Sequence, residues 1–148
     1  MGHCIQAIIG TRRSVQELTH DWACAEQVVL PQGYVMIFLT DTLFDRITER
    51  SNKSDRDLSP VLTYLTEAIH LFLQQYSLHG RLAYIETDYF GGVGTQAGAL
   101  YENGQLQIAP CSGKKTINLL LSALGVQCEP GKDAFDSLNL GQYRHMPD

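Results

Sequence analysis

Catalytic and cofactor signatures are what this 148-residue sequence lacks most. Gly-x-Ser-x-Gly does not occur, which removes the nucleophile-elbow hydrolases. The glycines from Gly91 to Gly94 miss the dinucleotide fingerprint, because Ala97 stands where the last glycine belongs and apparent strands flank the loop on both sides. Gly113-Lys114-Lys115-Thr116 misses the phosphate-loop pattern at Ile108 and again at Lys115. No two of His3, His20, His70, His79 and His145 have the i, i+4 spacing of a helical zinc site. Neither a metal nor a cofactor is expected. Apolar runs are short: none approaches the ~18–20 residues of a membrane span. A run of Lys or Arg is missing too, and the net charge is −5, which argues against a general affinity for nucleic acid phosphates.

Cysteine is sparse. Cys4, Cys24, Cys111 and Cys128 lie far apart with no C-x-x-C pair. The opening Met-Gly-His-Cys-Ile-Gln has no secretory pattern, and Gln6 stands where a myristoylation signal needs Ser or Thr. The expectation is a cytoplasmic protein with reduced, mostly packing thiols, although a Cys–His pair using Cys24 or Cys111 is open to the fold.

What is present is an ordinary globular composition, 44% hydrophobic, long enough for one domain that buries about two-thirds of its unfolded surface. HCIQAII at 3–9 reads as a first strand closed by Gly10. Ser14 and Glu17 form a capping-box pattern for a helix carrying Val15, Leu18 and Trp22. Val28 to Leu30 stops at the turn Pro31-Gln32-Gly33, and YVMIFL at 34–39 suits a strand buried on both faces. Thr40 or Asp41 caps a second helix, and the polar residues 50–57 read as an exposed loop. Ser59 to His79 reads as one long helix with Ser59 as cap, Pro60 at its first position and Gly80 after its end. A break at Pro110–Gly113 precedes a helix from Thr116 to Leu124, stopped by Gly125. The order is β-α-β-β-α-α-β-β-β-α, an α/β or α+β single domain over residues 1–148, with a mainly antiparallel or mixed sheet and packed helices.

Residues 81–108, RLAYIETDYFGGVGTQAGALYENGQLQI, concentrate acids, aromatics and unusual backbone. They read as two or three antiparallel strands with a tight turn at Asn103-Gly104. Tyr84, Glu86 and Asp88 share one strand face. Glu86 and Asp88 are the weak candidates for catalysis, as a cation-binding or acid–base pair, against the plainer alternative of a solvated face. Tyr84, Tyr89, Phe90 and Tyr101 are expected to divide between core and surface, with the exposed ones as interface anchors. Gly91, Gly92 and Gly94 either cradle an anion or let the ribbon kink. Lys114 and Lys115, before a helix, are a solvated pair or an anion site.

AYIETDYFGGVGTQAGALYENGQ together with FDSLNLGQYR resembles a family of small bacterial proteins of uncharacterised activity. Its pattern also covers HCIQAIIG and the PQG-to-TDTLFD region, about half of the chain. The resemblance implies a bacterial, cytoplasmic, single-domain protein and supplies no catalytic residue. Gln96 and Arg144, at its motif positions, become candidates for structural or binding roles. Two functions follow. One is a binding or inhibitor protein of immunity type, acting on a protein partner through Tyr84, Glu86, Asp88 and Tyr89 and admitting a homodimer. The other is a small hydrolase or metal-dependent enzyme using Glu86 and Asp88.

Overall fold

Six strands and five α-helices are described in a computed structural model covering residues 2–53, 56–90 and 93–147. The strands are β1 His3–Thr11, β2 Glu26–Val29, β3 Tyr34–Phe38, β4 Leu82–Phe90, β5 Val93–Glu102 and β6 Gln105–Ser112. The helices are α1 Arg12–Asp21, α2 Asp41–Ser51, α3 Glu67–Tyr76, α4 Thr116–Leu124 and α5 Ala134–Ser137. The six strands pair antiparallel in one sheet, in the order β2-β3-β1-β4-β5-β6. The chain is a single α+β domain.

Strand alternation makes two cores. Ile8, Ile37, Tyr84 and Tyr101 meet Leu18, Leu43, Ile69 and Leu73 of α1, α2 and α3 on one face. Ile5, Ile9, Met36, Ile85 and Leu100 meet Leu120 and Leu121 of α4 and the C-terminal Leu138 and Leu140 on the other. Each such fully buried aliphatic side chain is worth about 1.5–3 kcal/mol, so covering both faces is what stabilises the sheet. It also explains why YVMIF of β3, buried at all five positions, shows no alternation.

Three local expectations are corrected. Thr11, not Ser14, caps α1: β1 runs directly into the helix, and Thr11 Oγ1 accepts from the Ser14 amide at 3.2 Å. Ser14 is instead buried in the first turn, and a Cβ added at Gly10 or Gly80 would meet it at 2.5 or 2.6 Å. β6 continues through Pro110 to Ser112, because it is the edge strand and proline there forfeits no inner ladder bond. The long helix from Ser59 begins only at Glu67, with Thr66 as its cap. Residues 59–66 form a loop that buries Leu62 and Leu65 without helical backbone.

Inside the first core, the Tyr101 hydroxyl and His70 Nδ1 are hydrogen-bonded at 2.7 Å. Burial raises the Tyr101 pKa and lowers that of His70 from its ordinary 6.5. A folded-state pKa below the unfolded one means that the unfolded chain binds the proton more readily. The stability is therefore complete above pH 6.5 and declines as pH falls toward the lower folded value. Melting curves of the protein and of His70→Gln should converge in slope above that pH, with the parent losing more stability below it.

Candidate functional site

The parity of β4 sorts the candidate residues onto opposite sides of the sheet. Tyr84, Glu86, Asp88 and Phe90 face the α1–α3 side, whereas Thr87 and Tyr89 face the α4 side. On the α1–α3 side the 59–66 loop covers the face at Glu86, while Asp88 and Phe90 farther along it stay exposed.

Glu86 is half-buried and accepts from three donors. Its Oε1 takes the Thr63 amide at 2.7 Å, and its Oε2 takes the Tyr64 amide at 2.9 Å and the Tyr84 hydroxyl at 2.7 Å. Tyr84 has no exposed surface, so burial first and the Glu86 charge second push its hydroxyl pKa well above 10. The carboxylate clasps the 59–66 loop to the sheet. Two residues on, Asp88 is exposed, opposite Cys4 on one side and Thr95 on the other. Both carboxylates line one cleft of about 270 Å³, with Gln6 and Thr95 but no histidine on its walls. Among the described residues no group of three or more His, Cys, Asp or Glu could hold a metal. Among the described residues neither Cys24 nor Cys111 hydrogen-bonds a histidine; the Cys111 thiol lies 3.8 Å from the Gly98 carbonyl.

At the outer end of the same face, Phe90 pairs with Val93, and the two are 82% and 78% exposed. Gly94 follows at φ +158°, where a Cβ would sit 2.0 Å from the Asp88 carbonyl oxygen. Its role is close backbone approach. Gly91 and Gly92 lie outside the described residues. The aromatics divide as follows: Tyr84 and Tyr101 are buried, Tyr89 is half-buried and Phe90 is exposed. Val93 is the residue that sequence reasoning missed; its signal was its place across the hairpin from Phe90.

On the other side of the sheet the structure brings Tyr89, Gln96 and Arg144 to one cleft of about 370 Å³. Gln96 bridges two elements. Its Oε1 accepts from the Ile117 amide at 2.7 Å, and its Nε2 donates to the Tyr89 hydroxyl at 2.8 Å. Since Lys115, the residue before α4, offers no side-chain cap, Gln96 caps that helix from the neighbouring strand. His3 sits deeper, with Nδ1 2.8 Å from Thr87 Oγ1 and Nε2 3.0 Å from the Leu140 carbonyl. A carbonyl can only accept, so Nε2 carries a proton, and in the neutral ring the Thr87 hydroxyl donates to Nδ1. Both ring nitrogens are committed to structure. Lys114, Asn118, Asp133 and Phe135 complete the walls. No spacing in the chain foretells this set, because it converges from six separate segments. Tyr84, Glu86 and Asp88 are not part of it.

Comparison with family models, curated proteins and solved structures finds no match to this chain.

Proposed function

We propose that this chain is a small binding protein of the bacterial cytoplasm, an inhibitor of immunity type that masks a partner by protein–protein contact. One observation carries the proposal: Phe90 and Val93 stand side by side in water at the end of a hairpin whose base is built into both cores. Paired large apolar side chains on a rigid support have the character of interface anchors. Among the described residues, the other large apolar side chains more than half exposed, Val29, Leu78 and Leu119, each stand on a different element. Asp88 beside the pair and the net charge of −5 favour a partner that offers an apolar pocket with a basic rim. Glu86, accepting from three donors, ties the 59–66 loop to the base of the hairpin.

The test uses the protein, Phe90→Ser and Leu119→Ser as immobilised baits for an extract of the source cells. A partner held by the parent and by Leu119→Ser should be lost at least about tenfold with Phe90→Ser. Equal retention by all three baits, or by none, would remove the proposal. A second copy of the chain as occupant would register as a concentration-dependent dimer in sedimentation, absent from Phe90→Ser.

A further inference from the structure

We infer that the open edge of β2 takes an extended segment of a partner protein as a further strand, with an acidic side chain of that segment meeting Arg12. The hydrogen-bond ladder sets the starting point. The Leu30 amide donates to the Tyr34 carbonyl at 2.8 Å, so Leu30, and by antiparallel alternation Val28 and Glu26, turn their main-chain groups toward β3. The same alternation holds on the other flank of β3, where the Leu39 amide donates to the Gln6 carbonyl. Gln27 and Val29 therefore point N–H and C=O outward, and among the described residues no hydrogen bond reaches those groups. The other edge is guarded. β6 carries Pro110, and its pairing with β5 shifts register twice, both of which deter strand addition. β2 keeps an unbroken register and has no proline.

The side chains of Gln27 and Val29 point to the α1 side, since they pair with Ile37 and Val35 of the first core. A residue docked opposite either one sends its own side chain the same way. There a cleft of about 470 Å³ separates β2 from α1, with the buried Val15 and Val35 as its floor. Val29 stands 64% exposed in its wall, ready for an apolar cross-strand neighbour. The side-chain amides of Gln16 and Gln27 also line it and have no hydrogen-bond partner among the described residues. Arg12 is the only charged residue of the lining, and among the described residues no acid pairs with it. It lies at the Val29 end, because Thr11 before it pairs with Tyr34. Charge complementarity then asks for an acid from the occupant. A second copy of β2 would bring Gln27 and Val29 to this face and turn Glu26 to the other, so it offers Arg12 no carboxylate. The fitting occupant is a different chain, with apolar residues at every second position and an acid at one end. β3 and β1 separate this edge from the β4–β5 hairpin, so the contact is distinct from that of Phe90 and Val93.

The experiment titrates the ¹⁵N-labelled protein with end-blocked hexapeptides Glu-Thr-X-Thr-X-Thr and Thr-X-Thr-X-Thr-Glu, where X is Val, Leu or Phe. The first order suits an antiparallel approach to β2 and the second a parallel one. A Glu peptide should shift the Gln27 and Val29 amides and slow their exchange with solvent. The same peptide with Lys for Glu should bind about fivefold more weakly, and Arg12→Glu should invert that preference. Gln27→Pro removes an outward N–H and no inner one, so it should melt as the parent does while weakening every peptide at least about tenfold. The inference is overturned if no Glu peptide moves these amides by ~5 mM, or if the charge preference survives Arg12→Glu. Unchanged binding by Gln27→Pro would overturn it too. So would shifts of the same amides with protein concentration alone, which would assign the edge to a second copy.

Discussion

Glu86→Ala should lower the stability of this protein by about 2–4 kcal/mol and release the 59–66 loop. The fully buried Tyr84 hydroxyl loses its acceptor, and an unsatisfied buried donor alone costs about 1–3 kcal/mol. The Thr63 and Tyr64 amides, being near the surface, find water instead and contribute less. In a chain of 148 residues the loss corresponds to roughly 5–12 °C in Tm. Amide exchange should accelerate at residues 58–66 more than in β4 itself, since Leu58 and Leu65 are joined by one backbone bond there. Tyr84→Phe removes the orphan, so the double variant should be more stable than the sum of the single losses implies. A carboxylate kept for chemistry at the expense of stability would behave in the opposite sense, with a neutral or raised Tm on its removal.

Gly98→Ala should be among the most damaging single-methyl changes in the sheet, at about 3 kcal/mol or more. A Cβ there would lie 2.4 Å from Leu120 Cδ1 and 2.5 Å from the Tyr84 carbonyl oxygen. The leucine can rotate, but the carbonyl belongs to a central strand and cannot move without disturbing β4. The β5–β6 pairing also shifts register just past Gly98, so the strand has no slack to absorb the insertion. Denaturant unfolding measures the loss. An effect below ~1 kcal/mol would mean that α4 rides on the sheet more loosely than its contacts with Gly98 and Leu120 imply.

Legibility in the sequence followed the range of the deciding interaction. α4 begins at Thr116 and ends before Gly125, at φ +115°, as its local pattern predicts, and the Asn103-Gly104 turn adopts its expected positive φ values. These features are set by neighbours. Residues 59–66 carry a helical spacing at Val61, Leu62 and Leu65, yet Glu86, more than twenty positions away, takes the Thr63 and Tyr64 amides. Pro110 looked like a strand terminator and is tolerated because β6 is an edge, a fact of sheet order. The shared face of Tyr84, Glu86 and Asp88 was readable from the strand period, but not that a loop would descend upon it. The cleft on the other face was readable only as isolated residues: Gln96 and Arg144 from their motif positions, Lys114 from its place before α4. Gln96 proves to cap α4 from the neighbouring strand, an interaction between segments that local spacing does not encode.

The most direct measurement of the central claim is photo-cross-linking in living cells, with benzoylphenylalanine placed at position 90 and, separately, at position 119. Phe90 and Leu119 are 82% and 56% exposed, on opposite sides of the sheet, so position 119 reports on chance encounters away from the hairpin. A docking surface at the end of the β4–β5 hairpin predicts one discrete adduct from position 90 and none from position 119. The same adducts from both positions, or none from either, would contradict it.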